Sequence, residues 1–141
     1  MQFRADGARQ QFPGQLLPAE VAPDDLQPTV GNHHALDQQL RQSTLFGGIE
    51  FWVRNLVRRE GSSFFLQKAD GRFYPDFLCQ LPGTDAKPGA VLVVEYKGAD
   101  RWAGAEDDRL IGGLWANLSE GRCRFVMVKD KRWDWIEEAL K

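Results

Sequence analysis

The run Ala90–Lys97, AVLVVEYK, constrains this chain more than any other segment. Five apolar residues follow one another without alternation, and Val supplies three of them. A half-buried strand would alternate, and an amphipathic helix would interrupt the run every third or fourth residue. A short β-branched run of this kind reads as a central strand with both faces covered. A strand covered on both faces needs a packed layer on each side, so the chain around it has to supply helices. The run ends in charge. Glu95 and Lys97 are two residues apart, so on a strand they leave the same face.

The flanking segments supply those layers. A short helix is expected over Ala35 to Gln42, ended by Gly47-Gly48. Glu50 to Val57, Ser63 to Gln67 and Arg72 to Leu81 read as strands, and Pro82 to Gly89 as a turn-rich break. After Gly98 the period changes. Leu110, Ile111, Leu114, Trp115 and Leu118 recur at helical spacing, with Gly121 as the stop. Arg124 to Val128 is a further strand, and Trp133, Ile136 and Leu140 mark a last amphipathic helix. The order predicts an α/β sandwich with a mixed sheet over residues 35–141. Residues 1–34 differ: Pro13, Pro18, Pro23 and Pro28 recur among Gln and Asp, which prevents a sustained helix or central strand. This part reads as a linker or loosely packed arm.

Composition narrows the class. A chain of 141 residues is about one domain. It has no apolar stretch near the ~18 residues a membrane span needs, and the start, MQFRADGARQQF, has no apolar signal core. Cys79 and Cys123 are the only cysteines, which excludes a disulfide scaffold and a Cys-rich zinc site. A reduced, cytoplasmic setting is expected. The formal charge of −2 is not that of a dedicated nucleic-acid module, although carboxylates that bind cations lower net charge where a polyanion docks.

If the strands on either side of Pro82–Gly89 form a hairpin, its centre lies near Asp85 and Ala86. Positions whose numbers sum to about 171 then face each other, and Asp76 and Glu95 are such a pair. Two carboxylates roughly 5 Å apart at the edge of a core repel each other and resist ionisation. A divalent cation removes the conflict, and a few hard oxygen ligands completed by water suit Mg2+, with Mn2+ as the alternative. Such an ion polarises a phosphoryl oxygen and acidifies a bound water, with the backbone carbonyl of Tyr96 as a further ligand. Lys97 adds a positive charge at the same spot, suited to orienting water and offsetting charge in a transition state. Either half of this set alone is commonly structural: a Glu-x-Lys is often a surface ion pair, and an Asp after Pro is often a turn residue. Here the charges follow a buried run, and Asp76 stands among Phe73, Tyr74 and Phe77. Charge so placed costs free energy unless it is paired or binds metal.

FYPDFLCQL followed by VLVVEYKG resembles the Pro-Asp … Glu-x-Lys signature of the PD-(D/E)xK nuclease superfamily. It is most similar to the C-terminal nuclease domain of type III restriction enzyme Res subunits and DEAD/DEAH-type helicases, and ALD, FWVRNL, SSFFLQ and RLIGGLWANLSEGRCRFVMV share the likeness. The resemblance spans about residues 35 to 130. It implies a restriction-endonuclease-like αβββαβ core. It also implies a Mg2+-dependent endodeoxyribonuclease, with Asp76 and Glu95 as metal ligands and Lys97 as the catalytic lysine. The implied partners are DNA and a helicase, translocase or modification methyltransferase subunit. Two departures stand out. The family places an acidic residue on its first helix, where this chain reads QPTVGNHH with no carboxylate until Asp25 or Asp37. A basic residue is expected before Arg109, where this chain has Asp108.

No Gly-x-x-x-x-Gly-Lys-Ser/Thr loop occurs, so no P-loop motor is encoded here. The expectation is therefore a piece of a split helicase–nuclease or a free-standing nuclease domain. One rival is a nuclease fold that clamps DNA for a helicase without cutting; another is a gene remnant that folds poorly. His33-His34 reads as a solvated loop, since adjacent histidines rarely converge on one ion. Trp52, Trp115, Trp133 and Trp135 read as core packing and Cys79 as a small core residue. Arg54, Trp102 and Arg109 are the candidates for touching substrate.

Overall fold

The computed structural model describes residues 32–141. Helix α1 (Asn32–Leu45) leads into β1 (Phe51–Arg54), then a small hairpin of β2 (Leu66–Lys68) and β3 (Gly71–Phe73). Strands β4 (Phe77–Gln80) and β5 (Val91–Lys97) follow. A single helical turn α2 (Ala99–Trp102), a 3₁₀ turn (Ala103–Ala105), α3 (Glu106–Leu118), β6 (Cys123–Lys129) and α4 (Asp134–Leu140) complete the chain. The main sheet has the order β1-β4-β5-β6, with antiparallel β1/β4 and β4/β5 pairs and a parallel β5/β6 pair. The protein is thus a mixed α/β fold, with a four-stranded mixed sheet flanked by helices.

β5 lies between two strands, as its unbroken apolar run requires. Val91, Val93 and Met127 face one layer with Val53, Leu78, Ile111 and Trp115, under α3 and the small hairpin. Leu92, Val94, Tyr96 and Val128 face the other layer with Leu36, Leu40 and Ile136, under α1 and α4. Cys79 is fully buried there, a small core residue as expected.

The helix at the start is longer than the expected Ala35–Gln42 at both ends. His33 and His34 are helical rather than part of a loop, and the reading of a Pro-rich arm otherwise falls outside the described residues. The helix stops at Gly47, whose φ of +79° suits glycine, with the Gly48 amide donating to the Ser43 carbonyl. α3 divides its apolar residues. Ile111 and Trp115 are buried, whereas Leu110, Leu114 and Leu118, at i, i+4 and i+8, are exposed on its outer side. Gly112 lets α3 lie against β6: a Cβ there would come within 2.5 Å of the Phe125 ring. Among the described residues, no helix is long and apolar enough to cross a membrane.

Candidate active site

The β4/β5 hairpin pairs Phe77 with Val94, Leu78 with Val93 and Cys79 with Leu92. The sum of 171 therefore holds, and the turn closes with Thr84 bridged to Lys87 around Asp85 and Ala86. The expected strand Arg72–Leu81 is broken in two, however. Pro75, fully buried, has no N–H to donate, and β4 begins only at Phe77. Beyond Phe77 two carboxylates take over the missing rungs. The Asp76 amide donates to Glu95 Oε2 at 2.9 Å, and the Tyr96 amide donates to Asp76 Oδ2 at 2.9 Å. Asp76 and Glu95 thus meet where β4 and β5 part.

Lys97 Nζ reaches Glu95 Oε1 at 2.6 Å from the same sheet face. The Tyr96 amide points toward Asp76, and in a strand the N–H and C=O of one residue leave on the same side. The Tyr96 carbonyl accordingly faces Asp76, while the Lys97 carbonyl faces β6 and accepts from the Asp130 amide at 2.9 Å.

Glu95 is 4% exposed. Burial, then the negative charge of Asp76, pushes its carboxyl up to about 8, and Lys97 opposes that rise only in part. Two acids are thus held together at a cost that a proton or a cation would relieve. Among the described residues, no three His, Cys, Asp or Glu side chains gather as a metal cage. The oxygens of Asp76 and Glu95, with the Tyr96 carbonyl, form an open set of hard donors. That set fits magnesium or manganese, which keep several waters, rather than a closed structural zinc site.

The sequence reading missed two contributors. Asn55, at the end of β1, is buried and staples the Pro-Asp bend. Its Nδ2 donates to the Phe64 carbonyl at 2.7 Å and to the Pro75 carbonyl at 2.9 Å, and its Oδ1 accepts from the Phe64 amide at 2.9 Å. Its own amide donates to the Asp76 carbonyl at 2.8 Å. The signal was faint: a lone Asn ending an apolar strand. His33 is the second. From the first turn of α1 its Nε2 lies 3.3 Å from Asp76 Oδ2, and its ring meets Tyr96 edge-on. Asp37, the one described carboxylate on α1, lies one turn along the helix from His33 and pairs with Arg41 at 2.9 Å.

The remaining candidates divide. Arg54 ends β1 opposite Phe77, one residue from Asp76. Trp102 ends α2 just past Lys97, with the Arg109 guanidinium stacked 4.1 Å from its ring centre. Asp108, standing where a basic residue was expected, pairs with Lys68 at 2.9 Å and ties α3 to the small hairpin. Trp115 is buried, and Trp52 and Trp133 pack against the core. Trp135 departs from that expectation: it is half-exposed and pairs with Trp102 at 5.7 Å.

Comparison with protein-family models, with characterised proteins and with solved structures returns no match for this chain.

Proposed function

We propose that this chain is a divalent-cation-dependent DNA endonuclease domain that hydrolyses phosphodiesters by direct attack of water. The observation that carries the reading is the convergence of Asp76, Glu95 and Lys97 where β4 and β5 part, with buried Glu95 held against a second carboxylate. Core stability does not call for such a pair, and a cation-binding phosphodiesterase does. The element order α1, β1, β4, β5, α3, β6 supports a restriction-endonuclease-like core, as the Pro-Asp … Glu-x-Lys resemblance implies.

Asp76, Glu95 and the Tyr96 carbonyl would hold Mg2+ or Mn2+. When bound, such an ion supplies Lewis acidity toward a phosphoryl oxygen and a more acidic water. The protein's own part is placement. The Tyr96 amide and Asn55 fix Asp76, the Asp76 amide fixes Glu95, and Lys97 stands on the reacting face. Lys97 there orients the attacking water and offsets charge on the phosphate in the transition state. By resemblance, the partners are DNA and a helicase, translocase or modification subunit.

The test is plasmid nicking by purified protein with magnesium, manganese or EDTA, beside Lys97→Ala. Metal-dependent nicking that disappears in the variant supports the reading. A second reading, a fold that clamps DNA without cutting, is favoured by one observation: α1 offers Asp76 a histidine and no carboxylate. Intact plasmid under every metal, with DNA still retarded on a gel, would select that second reading.

A further inference from the structure

Resting on the nuclease reading, we infer that Arg109 and Lys129, both held on the Trp102 ring, form a clamp for a backbone phosphate flanking the one that is cut. Lys129 is the register partner of Lys97 on the parallel neighbour β6. The two side chains therefore leave the same sheet face from strands roughly 5 Å apart. Trp102 follows Lys97 through a turn pinned by the Asp130 amide on the Lys97 carbonyl and by the Ala99 amide on Asp130 Oδ1. The indole is thereby set beside the reacting face.

Two cations use that ring. The Arg109 guanidinium lies 4.1 Å from its centre and also donates from Nη1 to the Trp102 carbonyl at 2.5 Å. Lys129 Nζ lies 5.5 Å from the same ring. Each is half-buried. Neither is within ion-pair distance of a carboxylate among the described residues, whereas Arg132 is paired twice with Asp134 and Lys68 is paired with Asp108. Arg109 and Lys129 are thus unneutralised charges, held in place by an aromatic face instead of an anion. A cation on an indole keeps donors directed outward and has less rotamer freedom left to lose when an anion arrives.

Charge distribution agrees. Sixteen of the eighteen Lys and Arg fall within residues 32–141, with sixteen of the twenty Asp and Glu; Arg4, Arg9, Asp6, Glu20, Asp24 and Asp25 lie outside. The described body is formally neutral, so attraction of a polyanion rests on where individual cations are placed and not on net charge. Contacts of this kind position a strand without reading its bases.

The experiment is fluorescence anisotropy of a labelled 20-base-pair duplex in EDTA, which prevents cleavage, over roughly 50 to 200 mM salt. The slope of log K against log salt should shrink by about 0.9, the value for one phosphate, in the Arg109→Gln, Lys129→Gln double variant, and by less in each single variant. Trp102→Leu keeps both charges but frees them; affinity should fall several-fold while the slope stays near that of the wild type. Lys141→Gln, a charge removed elsewhere, should change neither. A double variant that melts like the wild type and keeps its slope and affinity overturns the clamp. If that wild type also nicks plasmid with metal, the nuclease reading survives; a wild type that neither binds nor nicks DNA overturns both.

Discussion

Replacing Glu95 with Gln should stabilise the metal-free protein at neutral pH while abolishing its activity. In the folded state the Glu95 carboxyl is raised from its ordinary value of 4.5 to about 8, first by burial and then by Asp76. A group raised in this way gives its full stability only below the unfolded value, and loses it as pH climbs toward the folded one. At pH 7 the gap is about 2.5 units, or on the order of 3 kcal/mol against the metal-free fold. Gln cannot ionise, but it is not a free replacement. Glu95 accepts from the Asp76 amide with one oxygen and from Lys97 with the other. A side-chain amide has a single acceptor, so one of those donors loses its partner at about 1–2 kcal/mol. The net expectation is a gain of about 1–2 kcal/mol for Glu95→Gln at pH 7, roughly 5–10 °C in melting temperature. Near pH 4.5, where wild-type Glu95 is neutral, only the lost hydrogen bond remains, and the variant should be the less stable by about 1–2 kcal/mol. Urea unfolding in EDTA, followed by tryptophan fluorescence at pH 4.5, 6 and 8, measures this directly. A difference that does not change with pH, or a variant less stable at pH 8, would refute the account of the buried acid. Added magnesium should then raise the melting temperature of the wild type and leave the variant where it was.

Other perturbations separate the staple, the chemistry and the packing. Asn55→Ala leaves the Phe64 amide and the Phe64 and Pro75 carbonyls without their partner, which should cost about 3 kcal/mol in chemical denaturation. It should also weaken nicking by loosening Asp76. Lys97→Ala should lose metal-dependent nicking, and its deficit in urea unfolding should grow as pH rises, because the cation that opposes the rise of the buried Glu95 carboxyl is gone. Gly112→Ala drives a methyl into Phe125 and should cost about 1–3 kcal/mol in urea unfolding, with no direct effect on the site.

Much of the site was legible because its geometry is local. A two-residue period and the symmetry of one hairpin place Asp76 opposite Glu95 and set Lys97 on the same face, and a short turn between the strands keeps that register. The double burial of β5 followed from an apolar run too uninterrupted for any one-sided strand. The strand expected over Arg72–Leu81 was the local failure: its period continues across Pro75, but its hydrogen bonds do not. Tertiary structure decided what comes from other layers. His33 reaches Asp76 only because α1 packs across Tyr96, on the far face of the sheet from Lys97. Asn55 meets Pro75 across β1 and β4, twenty residues away in sequence. Arg109 and Lys129 share one indole because α2 folds back over the ends of β5 and β6. Pattern carries periodicity and turn symmetry, which depend on neighbours along the chain; it carries no information about which helix face lands on which strand end, because that is set by how the two apolar layers close around β5.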